Sequence, residues 1–258
     1  MNWLDAAPFW ERLLLGAAGG AIVWWSALDL GALAFSIIGL EERARSRESA
    51  AVGYALVGTA VGFLGALHAI AGWFVVTLIA IRFFGRWVTD RRFPISIPSG
   101  AIDALRKMSS LDKAAIGVIA CAVLTGVVAA ALPAIWWDPL AYHLPILARA
   151  LEAHTFAADS SMLQTNFVLL GEAAALPAYV IGGSAGAAFA TLGAGIVLVL
   201  LCGEWAEDVA AGTGRIAMAL VSCSALWVWL APSFYVDIPF AMFALGALRL
   251  VTDTSDGR

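Results

Sequence analysis

Charge is scarce in this chain: only 13% of its 258 residues are Asp, Glu, Lys or Arg, where a soluble domain carries about a quarter. That shortage excludes a water-soluble enzyme and a disordered chain. Basic excess is missing too, since 19 acidic residues outnumber 15 basic ones and leave a net charge of −4. No cationic surface remains for a polyanion, so nucleic acid is excluded as a partner. Cysteine is limited to Cys121, Cys202 and Cys223, without CxxC spacing, which argues against a disulfide framework or a zinc site. What is abundant is apolar: 62% of the chain is hydrophobic and its mean hydropathy is +0.87. A polytopic membrane protein remains.

A membrane-spanning helix needs about 20 apolar residues. From Leu13 to Leu40 the only charge is Asp29, and Ala50–Ile81, Ala114–Trp137, Ala173–Gly203 and Ile216–Val236 carry none. A last apolar run covers Ile238–Leu248. As one helix, 50–81 would be roughly 48 Å long, too long for ordinary tilt, so it reads as two helices meeting near His68–Gly72. The segment 82–113 holds seven basic residues, Arg82, Arg86, Arg91, Arg92, Arg106, Lys107 and Lys113, whereas 138–165 has Arg149 alone. The positive-inside rule makes the first cytoplasmic and the second external. Phe93–Gly100 is the nearest thing to a linker, and Ala101–Met108 reads as an amphipathic surface segment.

The expected fold is therefore all-α and polytopic, with about seven transmembrane helices plus outer-face juxtamembrane helices. Residues 1–113 hold the N-terminal helices and basic loop. Residues 114–258 hold a core: a span at 114–135, an outer loop at 136–165, a juxtamembrane helix at 166–182, and spans at 185–203, 215–231 and 238–251. Reading 166–182 as a full span would invert everything after it.

Acidic groups close to a membrane are costly, and each asks for a reason. Asp138 follows the interfacial pair Trp136–Trp137 and precedes Pro139, the pattern of a helix N-cap with proline at N1. Leu140, Leu144, Leu147 and Leu151 then form one helical stripe. His143 and His154 form a metal site only with Asp138 or Asp159 added, and hydrogen bonding within the loop is the simpler role for His143. Asp29 reads as a buried packing residue.

Three landmarks now fall in order: Trp-Asp-x-Leu-x-Tyr-His-Leu-Pro at 137–145, Asn166-Phe167 leading to Gly171-Glu172 with Gly182–Gly183 beyond, and Tyr235-Val236-Asp237. The ordered set resembles the N-terminal portion of bacterial GT-C glycosyltransferases, of the glycosyltransferase family 39-like group related to protein mannosyltransferases and aminoarabinose transferases. The resemblance implies a multi-pass enzyme of the bacterial plasma (inner) membrane. It would pass a hexosyl or pentosyl unit from a polyprenyl-phosphate donor to an acceptor on the outer face, inverting the anomeric centre. It implies Asp138 and Asp237 as catalytic residues and Tyr142, His143, Arg149 and Glu172 as substrate-binding ones. No metal ligands are assigned, although a divalent cation, Mg or Mn, is a candidate cofactor. Expected partners are the lipid-linked sugar, membrane lipids and a second polypeptide completing the site. A transporter using Asp29, Asp138, Glu172 and Asp237 as a relay, or a non-catalytic assembly subunit, stands as the alternative.

The loop assignments predict that single cysteines at Ser99 and Ser160, in a cysteine-free background, react oppositely with an impermeant maleimide. Only the Ser160 position should label from outside, and equal labelling would overturn the orientation.

Overall fold

The computed structural model describes residues 6–40, 47–73, 107–158, 163–166 and 169–255. The second helix expected within 50–81, the basic stretch to residue 106, Asp159 and Phe167 lie outside the described residues. The helices are α1 Phe9–Ile37, α2 Arg47–Ala66, α3 Ser110–Ala131, α4 Leu144–Ala153, α5 Leu170–Val209, α6 Gly214–Ser222, α7 Ala225–Leu230 and α8 Asp237–Ser255. A π-helical turn, Pro139–His143, runs into α4, and 3-10 turns occupy Leu163–Asn166 and Ala231–Ser233. The described residues contain helices and no strand. Four helices, α1, α2, α3 and α5, are long and apolar enough to cross a membrane, and α6 with α7 makes a fifth if that pair, bent by 56°, counts as one span. Their outward faces carry Leu14, Leu28, Phe63, Leu124 and Leu220, all exposed, as a bundle facing hydrocarbon requires.

Local chemistry sets the helix ends. α1 stops in a Schellman motif: Gly39 takes φ 78°, its N–H donates to Ser36 O, and Leu40 N–H donates to Phe35 O. The span expected at 114–135 instead runs Ser110–Ala131. It starts early because Ser109 accepts the Asp112 N–H, and ends early because Pro133 holds Leu132 extended at ψ 157°. Inside the charge-free run 50–81 the chain leaves α2 at Ala66 and turns through His68 at φ 52°.

The 40 residues of α5 would be about 60 Å long if straight. They are a hairpin. Gly183, at φ 58° and ψ −144°, breaks the helix, and a Cβ on Gly186 would lie 1.9 Å from Ala178 O, although eight residues of straight helix separate atoms by about 12 Å. Contacts along α1 give the directions. Ala178 meets Gly19 and Gly182 meets Gly16, whereas Phe189 meets Gly20 and Gly193 meets Trp24. Residues 170–182 therefore run antiparallel to α1 and 184–209 parallel to it. The first arm is about 20 Å long, shorter than the roughly 30 Å of hydrocarbon in a bilayer.

Apolar burial cannot by itself drive helices together in lipid, so backbone fit and polar links must. A Cβ on Gly53 would lie 1.7 Å from Ala27 O, and one on Gly31 1.8 Å from Ser49 O, so α1 and α2 touch backbone to backbone. At one end of the bundle Arg249 binds Glu48 (2.7 Å) and Asp208 (3.1 Å), Arg47 binds Glu204 (2.6 Å) and Arg215 binds Asp112 (3.0 Å). These pairs put the starts of α2, α3 and α6 and the later parts of α5 and α8 on one side. At the opposite end the buried Arg12 donates from Nε to Ala131 O (2.9 Å) and from Nη2 to Leu132 O (2.8 Å) and Ser184 Oγ (3.2 Å). It satisfies carbonyls at the α3 C-terminus, where a cation is favoured, and ties them to the hairpin bend.

Gly53→Ala should lower unfolding stability by about 2 kcal/mol, because Ala27 O must move. Gly62→Ala, where the new methyl meets nothing within 4 Å, should be neutral or stabilising. Unfolding in mixed micelles reads the difference, and equal effects would contradict the close packing.

Candidate functional site at the aromatic end of the bundle

Beyond α3 the extended segment 132–136 delivers Trp136, Trp137 and Asp138 to the end of the bundle held by Arg12. Asp138 does not cap a helix. Its backbone is already helical (φ −62°, ψ −50°) and its side chain makes no cap bond. The expectation of an N-cap is corrected: the helical turn begins before Asp138, with Leu140 N–H on Trp136 O at 3.3 Å. The chain widens into a π turn, and Leu144 N–H reaches back to Pro139 O. One residue is thereby absorbed and the stripe is broken: Leu147 is buried while Leu140 is exposed. Such turns cluster at functional sites.

The π turn aims two neighbouring side chains in different directions. The Tyr142 hydroxyl hydrogen-bonds the Asp138 carboxylate. His143 goes inward, where Nδ1 meets Glu172 Oε1 at 2.9 Å, with the two residues 3% and 4% exposed. Glu172 stands in the first turn of the hairpin arm beside Gly171, where a Cβ would come within 3.0 Å of the Val236 side chain. Glycine there lets the Tyr235–Asp237 turn close over the arm. Phe234, in the left-handed region at φ 57°, makes that turn and packs edge-on to His143 at 5.8 Å. Tyr235 lies 6.3 Å from the same ring. Asp237, exposed, then opens α8, where a carboxylate suits the helix dipole.

Tyr142 and Tyr235 each feel the charges of both Asp138 and Asp237. Burial, then the charge of Asp138 and its hydrogen bond, then Asp237, push the Tyr142 phenol up to about 12. Burial, Asp138 and Asp237 push Tyr235 up as well. An aromatic run continues from this pair of acids: Tyr235 contacts Trp229 (6.0 Å) and Trp229 contacts Trp136 (5.2 Å).

Of the residues expected to bind substrate, Tyr142 stands at the acids. His143 and Glu172 are buried against each other. Arg149 is exposed on α4 and lines a different cavity of about 420 Å³ with Glu152, Phe156, Thr165 and Leu169. His154 is engaged elsewhere, its Nδ1 on Ile70 O while its own carbonyl accepts Ile70 N–H (3.3 Å). Asp29 is buried within α1. Among the described residues no three His, Cys, Asp or Glu side chains gather closely enough to hold a metal ion.

Sequence reasoning passed over Arg12, whose signal was a charge one residue before an apolar run, and Trp229, which looked like any other aromatic in a span. Comparison of the chain with protein-family models, curated proteins and solved structures finds no match.

Asp138→Asn removes a charge that opposes the Tyr142 phenolate, so Tyr142, pushed up to about 12 beside Asp138, should ionise at lower pH than in the wild type. Phenolate absorbance, taken as the difference from the Tyr142→Phe counterpart, measures it. An unchanged titration would separate the two side chains.

Proposed function

We propose that the chain is a GT-C-type glycosyltransferase of the bacterial plasma membrane, with about seven spans and its site facing outward. It moves a sugar from a polyprenyl-phosphate donor to an acceptor hydroxyl with inversion. The observation that carries this reading is the meeting of Asp138 and Asp237, from distant parts of the chain, around Tyr142 and Tyr235 at a helix-end boundary. A lipid phosphate lies at that depth, whereas a transport relay would place its acids near the midplane.

In the proposed step Asp138 accepts the acceptor's hydroxyl proton as the oxygen attacks the anomeric carbon. The bond from that carbon to the phosphate oxygen breaks, its electron pair leaving with polyprenyl phosphate on the opposite face. Tyr142 donates to Asp138 and fixes the carboxylate's direction, and Asp237 orients the acceptor by accepting a second hydroxyl. The buried His143–Glu172 pair holds the loop. Preorganisation of this kind costs nothing at the moment of reaction.

Membranes from cells producing the protein, given labelled polyprenyl-phosphate-linked sugars, test the proposal. Asp138→Asn should cut transfer by about 10²-fold or more at normal expression. Asn can still accept the Tyr142 hydroxyl and Ala cannot, so Asp138→Ala should be less stable than Asp138→Asn by about 1 kcal/mol. Transfer that survives both substitutions would remove Asp138 as the base.

A further inference from the structure

α7 is a single short turn that sorts two indoles. Ser224 accepts the Trp227 N–H and starts the helix. Residues two apart on a helix point to nearly opposite sides. Trp227 accordingly goes into the core, with Nε1 on Gly195 O at 2.9 Å. Trp229 goes out and stays 44% exposed. It does not stand alone: Trp136 meets it edge-on at 5.2 Å from one side and Tyr235 at 6.0 Å from the other. Tyr235 is the ring that feels both Asp138 and Asp237. An accessible aromatic shelf therefore adjoins two carboxylates, one half-buried and one exposed.

The two halves of that arrangement ask for different chemistry from one ligand. An aromatic face is electron-rich and takes polarised C–H groups, and carboxylates accept hydroxyls. A hydrocarbon chain offers no hydroxyl to the acids. A sugar ring presents a C–H face and hydroxyl edges together. We infer that Trp229 is a specificity-determining contact that stacks on the sugar ring of the lipid-linked donor, with Trp136 and Tyr235 bracing it. This rests on the transferase reading and adds the donor's sugar subsite to it.

The test uses the full chain in nanodiscs and tritiated polyprenyl-phosphate mannose, glucose and arabinose, with bare polyprenyl phosphate for comparison. Trp229→Leu keeps an apolar side chain but no ring, and should weaken the sugar-bearing lipids bound by wild type about 10-fold without changing bare polyprenyl phosphate. Trp229→Phe should restore most of the loss. Trp10, 69% exposed at the same end, supplies the anchoring control, and Trp10→Leu should change neither. If Trp229→Leu weakens bare and sugar-bearing lipid equally, or neither, Trp229 is an interfacial anchor and the inference fails while the transferase reading stands. If wild type binds none of the sugar lipids more tightly than bare polyprenyl phosphate, both fall together.

Discussion

The buried hydrogen bond between His143 and Glu172, 2.9 Å long, is the constraint on which the site depends. Burying an ionisable pair is expensive unless its geometry is good, and losing one partner strands the other. Here the pair joins a loop beyond α3 to the first turn of the α5 hairpin, two segments that share no backbone ladder. With His143 drawn inward, its neighbour Tyr142 must point to the other side of the turn, where it meets Asp138. With Glu172 drawn toward the loop, Gly171 presents a bare backbone to Val236, and the turn carrying Tyr235 and Asp237 closes on top. One bond thereby positions residues from three parts of the chain.

The hairpin supplies the second partner of that bond. Had residues 170–209 continued straight, Glu172 would lie far from the end of α3. Reversal at Gly183 brings the short arm back beside α1, and Arg12 fixes the bend by holding Ser184 and the last carbonyls of α3 together. Glycines at 16, 19, 182 and 186 let these backbones touch. The resulting arm is short and largely enclosed, with Ala173, Ala174, Ala175, Leu176 and Ala178 all buried. A lipid-facing helix would not need so many small side chains. A helix squeezed between neighbours does.

Much of the bundle is legible because charge-free runs and glycine breaks are local signals. The break at Gly182–Gly183, the turn near His68 and the buried state of Asp29 are all written in contiguous residues. The ends of α3 were also written locally, in Ser109 and Pro133, but hydropathy alone overlooks caps. Asp-Pro reads as a cap pattern, but the turn already starts upstream, where Trp136 O accepts the Leu140 N–H. The His143–Glu172 pair and the carbonyl grip of Arg12 join residues far apart in sequence, and no periodicity announces them. That Asp138 and Asp237 both act on Tyr142 and Tyr235 is not legible either, since neither residue's surroundings name the other.

A double-mutant cycle tests the central claim most directly. Unfolding of His143→Ala, Glu172→Ala and the combined variant is measured in one mixed-micelle system. A shared bond predicts that each single substitution removes most of what both remove together, leaving a coupling of about 1–3 kcal/mol. Additivity within about 0.5 kcal/mol would mean that the two side chains act independently, and that something other than their bond seats the loop on the hairpin.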